Sequence, residues 1–438
     1  MRVNLLFIFL GLVFFSVPVK GQDIENDLRN NQQLSKRAIE FAPEQFPFQH
    51  LEQWITDKQI VMLGDATHGS REFYQYRAQI TQYLIEKHGF SAVIVEGNWP
   101  AGQQVNQYIN NTVAQSAKQA LIGFNKYFPW VWRNQTLVEF VQWMKLYNRG
   151  NRHQPVSFYG MDLFSLTTSI TRNIELLNKH TTPLNAQFLT MYQCFSAFKN
   201  NSLEYGKHAV ETPSLSCQTQ AQQQLNIISK QANLINNKAD YFDLLMNSKM
   251  IQAAEQYFRM TFEAQDAEIW NIREQVMLET INDIIKQHKI NNKNAKVIIW
   301  AHNSHTGDAR ATGMKDVGQV SLGQLLRQQF GKQQVFLMGA LSYQGEVIAS
   351  KNWGESGILM KMPGAVEGSY SHLFHQLGLS RFIMDLSSLS FSTFYQRFIG
   401  VVYVEEEEHL NHYNTTQINR QFDAILFVDK TNAVRLLD

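Results

Sequence analysis

The stretch that decides the fold reads Val61-Met62-Leu63-Gly64-Asp65-Ala66-Thr67-His68-Gly69-Ser70. Its apolar run ends at a glycine and is followed at once by the carboxylate of Asp65 and the imidazole of His68, three residues apart. Residues 71–87 contain no glycine or proline, which predicts a helix that begins directly after this loop. A strand, a polar loop and a helix in this order predict an α/β unit with a site beyond the carboxyl end of the strand.

The same arrangement occurs three more times along the chain. Each of three later apolar runs of strand length is followed by an acid or a histidine: 91–95 by Glu96, 156–159 by Asp162, and 296–300 by His302 and His305. If the four strands are parallel, these side chains lie at one edge of one sheet. The sequence therefore predicts an α/β fold with a mostly parallel central sheet flanked by helices, and a shared polar site at that edge.

A helical insertion is predicted between about residues 167 and 290. Strand-like runs disappear there and long helical patterns replace them. We expect this segment to cover one end of the sheet, with a substrate cleft between the two. It also holds both cysteines of the chain, Cys194 and Cys217, which either pair in an oxidising compartment or stay as buried thiols. Strand character returns at 296–300, 335–339 and 398–403.

The N-terminus predicts export. One positive charge precedes an almost wholly apolar run over residues 5–17, and small residues stand at Val19 and Gly21, the two positions that signal peptidase reads. Residues 1–21 are therefore predicted to be a cleaved signal peptide, with the mature domain over 22–438 in the periplasm or secreted. The alternative is an uncleaved anchor, but the run is shorter than the roughly 20 residues of a membrane span, so no stable membrane insertion is expected after cleavage.

The charge balance excludes one class of partner. The chain has 39 basic and 38 acidic residues in 438, and no block rich in lysine or arginine. A nucleic-acid partner is therefore not expected, because such proteins carry a basic surface. The partner is expected to be a small molecule held in a pocket.

The motifs resemble those of the erythromycin esterase family. The resemblance covers about residue 45 to the C-terminus and is weakest between about 170 and 265. It rests on the Gly-acid-x-x-His-Gly loop, on Arg77 in the following helix, and on the segments 95–100, 132–134, 158–162 and 300–310. It implies a hydrolase of a small-molecule ester or lactone, with macrolide antibiotics such as erythromycin as the family's substrates.

The residue types suit ester hydrolysis, which needs a nucleophile, a base and a group that stabilises the oxyanion. His68 is the predicted base because imidazole titrates near neutral pH, and Asp65 or Glu96 is predicted to fix its tautomer. The chain has no Gly-x-Ser-x-Gly motif. The predicted nucleophile is therefore water activated by His68, and not a serine such as Ser70 or Ser304.

Five further residues are predicted to bind substrate. Arg77 is expected to hold negative charge, Trp132 to form an apolar wall, and Asp162 to line the cleft or simply to cap the helix that follows it. The resemblance implies that His302 and His305 line the same cleft. The family has glutamate where this chain has Asp65, so this side chain is one methylene shorter.

Two alternatives remain open at this stage. A metal ion at His68, Glu96, His302 and His305 would make metal-bound water the nucleophile. Because these histidines come from separate loops and no His-Glu-x-x-His helix is present, hydrolysis without a cofactor is the prediction. The non-enzymatic alternative is a periplasmic protein that binds haem or another ligand at the same histidines without converting it.

Overall fold

The computed structural model describes residues 34–110, 116–126, 128–180, 184–198, 201–231, 234–291 and 295–437. The predicted signal peptide at 1–21 lies outside them. The strands are β1 (Ile39–Glu40), β2 (Ile60–Leu63), β3 (Ala92–Asn98), β4 (Ser157–Asp162), β5 (Val297–Trp300), β6 (Val335–Ala349), β7 (Ile358–Met362), β8 (Arg381–Asp385), β9 (Phe394–Arg397), β10 (Tyr413–Thr416) and β11 (Ala424–Thr431).

The α-helices alternate with the strands over much of the chain. They are α1 (Phe48–Ile55), α2 (Arg71–His88), α3 (Trp99–Ile109), α4 (Ala117–Ala120), α5 (Pro129–Trp132), α6 (Gln135–Gly150), α7 (Leu166–Lys179), α8 (Asn185–Ser196), α9 (Ser202–Glu211), α10 (Gln218–Lys230), α11 (Lys238–Met260), α12 (Asp266–Asn291), α13 (Asn303–Thr306), α14 (Leu322–Phe330), α15 (Tyr370–His375), α16 (Glu408–Asn411) and α17 (Ile418–Gln421). Short 3-10 turns cover Pro213–Leu215, Ala309–Ala311, Gly313–Val317 and Glu405–Glu407.

One nine-stranded sheet organises the molecule. Its order is β1-β8-β11-β6-β2-β5-β3-β4, and β7 pairs with β6 in an antiparallel hairpin. The six strands from β11 to β4 in this order run parallel, whereas β8 and β1 form an antiparallel edge. Strands β9 and β10 form a separate antiparallel pair. The predicted α/β class with a mostly parallel central sheet is confirmed.

Both faces of the sheet are covered, as parallel sheets require. Along β2, Val61 and Leu63 belong to one apolar core with helices α2 and α6, while Ile60 and Met62 belong to a second core with helices α12 and α14. Side chains that alternate between two buried faces leave few polar positions inside the strands. The polar residues of β2, β3, β4 and β5 are therefore concentrated where the strands end.

The expected strand over 398–403 was wrong. This segment makes isolated bridges, from Ile399 to Thr67 and from Val402 to Ser350. Its backbone bonds to the loop after β2, through Ala66 O, and to the end of β6. An apolar run that crosses between two loops is buried like a strand, so its composition alone does not separate the two cases.

Between β4 and β5 the described residues form helices α7 to α12. Helices α7 to α11 pack around a core of their own, which includes Phe188, Tyr205 and Cys217. Cys194 and Cys217 form a disulfide. The sequence had left open whether they pair or stay as buried thiols. Helix α12 leads the chain back to the sheet. No helix within the described ranges is both long and apolar enough to cross a membrane.

Candidate active site

The carboxyl edge of the sheet brings the strand-ending polar residues together. Strands β2, β5, β3 and β4 are neighbours in that order, so the loops that follow them lie side by side. His68 Nε2 lies 3.9 Å from Glu96 Oε1, and His305 Nε2 lies 3.2 Å from the same oxygen. The rings of His68 and His302 are 5.1 Å apart between centroids. These four side chains form what we call the histidine cluster.

Both glycines of the loop after β2 are required by close approach. A Cβ on Gly64 would lie 2.2 Å from Asn303 Oδ1, and one on Gly69 would lie 1.9 Å from the carbonyl oxygen of Ile348. The Asn303 side chain in turn bonds both the N–H and the carbonyl of Ala340 on β6. The loop is thus held between β5 and β6, which fixes the direction in which His68 points.

Arg77 contacts Asp65 and not the open cleft. Its Nη2 donates to Asp65 Oδ2, and its guanidinium lies 4.9 Å from the centre of the Tyr74 ring and 5.5 Å from that of Trp300. Both partners of this ion pair are buried. Among the described residues no donor bonds Asp65 Oδ1, which lies 3.5 Å from His68 Nδ1. The geometry therefore orients Asp65 beneath His68, and substrate binding by Arg77 stays a prediction.

We expect Asp65→Glu to lower kcat/KM roughly tenfold to a hundredfold on the native substrate. The gap from Oδ1 to His68 Nδ1 exceeds an ordinary hydrogen bond by about 0.6 Å, whereas an added methylene lengthens the side chain by about 1.5 Å. The longer acid overshoots, crowds His68 and disturbs the Arg77 pair, and displacements of this size are costly in active sites. Steady-state kinetics check this, and a gain in kcat/KM for erythromycin contradicts it.

His68 is held in its neutral form. Burial lowers the pKa of its imidazole, and the nearby carboxylate of Glu96 only partly offsets this effect. Its carbonyl oxygen accepts a 2.7 Å hydrogen bond from the Tyr74 hydroxyl, which fixes the backbone of the loop. With Nδ1 turned toward Asp65, the lone pair of Nε2 faces Glu96 Oε1 across 3.9 Å. Two acceptors at this separation suit one water molecule that donates a hydrogen bond to each.

Glu96 lies at the centre of the histidine cluster and contacts most of its members. Its Oε1 accepts from Arg273 Nη2 at 2.7 Å, and its Oε2 accepts from the backbone N–H of His302 at 2.8 Å. Its carbonyl oxygen accepts from the Trp132 indole at 3.0 Å, so Trp132 positions this residue in the structure. Burial alone raises the pKa of Glu96, but His305, His68 and Arg273 hold it well below its usual range. Glu96 is therefore ionised at neutral pH.

His305 is flanked by two carboxylates. Its Nδ1 lies 2.5 Å from Glu274 Oε1, its Nε2 lies 3.2 Å from Glu96 Oε1, and its ring stacks on Trp270 at 4.7 Å between centroids. Burial and the adjacent Arg273, whose Nη1 is 3.0 Å from Nε2, oppose the positive form, but the two carboxylates outweigh them and raise the pKa to about 9. His305 is therefore an imidazolium at neutral pH.

His302 is neutral and its tautomer is fixed. Burial and the neighbouring His68 hold its pKa well below the usual range. Its Nε2 donates to the carbonyl of Ala66 at 3.3 Å, and its Nδ1 accepts from the Ser304 hydroxyl at 2.9 Å. His302 therefore supports the loop that carries His68.

Asp162 lies at the cluster and does not cap a helix, so of the two roles that the sequence left open the helix cap was wrong. Its Oδ1 accepts from the N–H of Leu163 at 2.8 Å, and its carboxylate binds Arg273, with the shortest contact at 2.7 Å. Helix α7, however, begins at Leu166 and not at the residue after Asp162. Asp162 thus positions Arg273 at the edge of the cluster.

Arg273 and Glu274 were not found from the sequence. Both lie on α12, where they contact the histidine cluster from the side of the helical insertion. Glu274 is fully buried and also accepts from the N–H of Leu322 at 2.6 Å. The one signal in the sequence is that this Arg-Glu pair interrupts the apolar face of an otherwise ordinary amphipathic helix.

The donor set does not favour a metal ion. Within the part of the chain that the structure describes, no three His, Cys, Asp or Glu side chains form a group that fits one. Both oxygens of Glu96 already accept hydrogen bonds, and the Arg273 guanidinium lies among the proposed ligands. A cation there would face both Arg273 and the His305 imidazolium, and like charges so close repel strongly.

Comparison with known sequences finds one family. The sequence model of the erythromycin esterase family matches residues 85–431. The Bacillus subtilis (strain 168) protein named "Putative hydrolase YbfO" is 22% identical in an alignment of length 328, which covers 69% of this chain and 69% of that protein. Erythromycin esterase type II of Escherichia coli is 26% identical over 131 residues, which are 30% of each chain.

Solved structures share the fold across nearly the whole chain. A succinoglycan biosynthesis protein superposes with a TM-score of 0.77 at 20% identity, over 95% of this chain and 100% of that one. A Bacillus cereus protein gives 0.76 at 17% identity, over 94% and 99%. A single-residue mutant of the erythromycin esterase EreC in its open conformation gives 0.68 at 14% identity, over 92% and 99%.

Proposed function

Because this chain belongs to the erythromycin esterase family of hydrolases, we propose that it cleaves the ester or lactone bond of a small molecule with water activated by His68. The observation that carries the proposal is that His68 Nε2 and Glu96 Oε1 lie 3.9 Å apart, so that one water to the side of this pair can donate a hydrogen bond to both atoms. A neutral imidazole and an ionised carboxylate there can hold one water and take its proton. Macrolides are among the proposed substrates, in line with the name of the Escherichia coli relative.

The charges around this pair suit attack on a carbonyl. As water adds, the carbonyl oxygen becomes an oxyanion while His68 gains a proton. Arg273 and the His305 imidazolium, both in contact with Glu96 Oε1, supply the nearest positive charge for the oxyanion. His68 then returns its proton to the leaving alcohol, so that acid and alcohol are released and the base is regenerated. Asp65, paired with Arg77, lies 3.5 Å from His68 Nδ1 and orients this ring throughout.

Product analysis tests the proposal. Purified protein is incubated with erythromycin and with a panel of simple esters, with and without a chelator, and the products are identified by mass spectrometry. Hydrolysis that gives a product one water heavier, or the free acid and alcohol, supports the proposal. Chelator-resistant activity is expected because no metal step is proposed. A panel left intact contradicts the proposal, and an absorption band on haem addition would then favour the ligand-binding alternative.

The loss of activity at alkaline pH is expected to follow the deprotonation of His305. Since its pKa is raised to about 9, activity is retained at neutral pH and lost as the pH rises through about 9. Glu274→Gln removes the carboxylate on Nδ1, so the alkaline limb moves to lower pH and kcat/KM at pH 8 falls roughly tenfold. Glu279→Gln, an exposed residue on the same helix, is the matched control. An alkaline limb unchanged in Glu274→Gln contradicts this role of His305.

We also propose that the protein is exported, with residues 1–21 removed. The proposal rests on the sequence pattern of the N-terminus. Cell fractionation followed by intact-mass measurement is the test. A mature chain that begins at Gln22 in the periplasm or the medium supports it, and a chain that keeps Met1 in the cytoplasm overturns it.

A further inference from the structure

The β6–β7 hairpin lies on the loop that carries His68. Beyond the sheet, β6 continues and pairs with β7 as far as Ala349 and Ile358. The N–H of Ile348 donates to the carbonyl of Gly69 at 3.3 Å, and the two backbones are in such close contact that no Cβ fits on Gly69. The base of the hairpin is thus fixed beside the catalytic loop.

The tip of the hairpin, residues 350–357, reaches the opposite side of the site. The Trp353 ring lies 4.5 Å from that of Phe128, in edge contact, and 6.2 Å from that of Phe164. Phe128 belongs to the chain that follows β3, and Phe164 to the chain that follows β4. Since β6 and β4 flank the strands that carry the histidine cluster, the tip crosses the carboxyl edge of the sheet. Trp353, Phe128, Phe164 and Trp130 form what we call the aromatic rim.

The aromatic rim contacts the histidine cluster through Arg273. The Arg273 guanidinium lies 5.2 Å from the centre of the Phe164 ring, and Arg273 bonds Glu96. The side chain of His68 is only 9% exposed and that of Glu96 only 6%. A large ester therefore does not reach His68 while the tip of the hairpin covers the site.

Trp130 carries a buried donor beneath the tip. Its Nε1 is buried and has no acceptor in the described part of the chain. Gly357 lies against this ring, since a Cβ there would be 2.7 Å from Nε1. A buried N–H without a partner costs free energy, so movement of Gly357 that uncovers it for a substrate oxygen lowers that cost.

The tip itself is mostly exposed. Lys351, Asn352, Gly354 and Glu355 are open to solvent, and on the returning strand Ile358 and Leu359 are 45% and 60% exposed. The tip bonds internally, with the Ser350 hydroxyl on the carbonyl of Glu355. The backbone of Ser350 is anchored to Val401 and Tyr403 by two hydrogen bonds, so displacement is confined to residues 351–357 and leaves these bonds in place.

We propose that substrate displaces the tip and that Phe128, Phe164 and Trp130 of the aromatic rim then form the subsite for a large apolar acyl or alcohol group of the ester. The proposal rests on the proposed function and adds the chemical class of the substrate. The incoming apolar group takes the place of Trp353 against Phe128 and Phe164, and a substrate oxygen accepts from Trp130 Nε1. Binding then strengthens with apolar size, by up to about fourfold for each buried methylene.

The test is a chain-length series of 4-nitrophenyl esters, from acetate to octanoate. In the wild type, KM is expected to fall several-fold for every two methylenes. In Phe128→Ala, which removes part of the wall that receives the apolar group, this dependence is expected to weaken at least threefold over the series. In Trp353→Ala, which removes the ring that the substrate displaces, KM for the octanoate is expected to fall at least threefold below the wild-type value. Leu359→Ala, on the same hairpin but pointing outward, is the matched control and is expected to keep the wild-type dependence. Phe128→Leu tests the same wall if Phe128→Ala does not fold.

A binding measurement separates this proposal from the proposed function. Calorimetry with 4-nitrophenyl alkyl ethers of the same lengths reports on the subsite without any hydrolysis. Ethers that bind more tightly with length, without hydrolysis of any ester, support the subsite and contradict the hydrolase. Esters that are hydrolysed with no dependence on length, or with the wild-type dependence in Phe128→Ala and Phe128→Leu, overturn the subsite and leave the hydrolase intact.

Discussion

His68→Ala is expected to lower kcat/KM by about 10² to 10⁴, the range that removal of a general base produces. Neither of the other two histidines of the cluster can take its place, because His302 Nε2 is bonded to Ala66 O and His305 is protonated. The fold is expected to survive, since the ring of His68 is held at distances of 3.5 Å and 3.9 Å and not by short hydrogen bonds. Initial rates and a thermal melt on the same sample check both points.

A half-buried histidine at the other end of the strands serves as the control. His288 contacts the Tyr159 hydroxyl at 3.2 Å and Ser91 at 3.4 Å, away from the carboxyl edge. His288→Ala is expected to lower the melting temperature and to leave kcat unchanged. If His68→Ala retains the wild-type rate, the histidine has no part in the mechanism.

Glu96→Gln is expected to lower kcat/KM by roughly 10² to 10³ and the free energy of unfolding by about 3 kcal/mol. The amide removes the charge that faces Arg273 and His305, and it turns an NH₂ group toward one of the donors that Glu96 now accepts from. Two buried cations are then left with less compensation. Kinetics and chemical denaturation measure the two effects separately.

Two variants separate catalysis from structure at this position. Glu96→Asp keeps the charge and is expected to recover part of the lost stability. Its shorter side chain still leaves the water site incomplete, so its kcat stays low. Glu279→Gln makes the same chemical change at an exposed site and is expected to change neither quantity. A folded Glu96→Gln variant with an unchanged rate assigns Glu96 to structure alone.

The site residues that lie at the ends of the strands could be predicted from the sequence. Asp65, Glu96, Asp162 and His302 each lie at or just beyond the end of a buried apolar run, and parallel pairing of the strands then brings them to one edge. The strand periodicity carries this information because both faces of the sheet are buried. Their chemical roles stay predictions until activity is measured.

The residues that the helical insertion contributes to the site could not be predicted from the sequence. Arg273 and Glu274 lie within a 26-residue helix, where adjacent charges are as common on a solvated face as on a functional one. Which face of α12 meets the sheet depends on how the insertion packs, and this is decided by contacts far apart in sequence. The hairpin tip was missed for the same reason, since its position over the site depends on Trp353 meeting Phe128 and Phe164.

The acid limb of the pH profile tests the central claim, that neutral His68 removes a proton from water, most directly. Burial lowers the pKa of His68 below 6.5; wild-type activity should therefore persist below pH 6.5 and fall, with a slope of one proton, only as the pH drops through that lowered pKa. In His68→Ala the residual kcat/KM should lose this limb. The same acid limb with an undiminished rate in the variant would contradict the account.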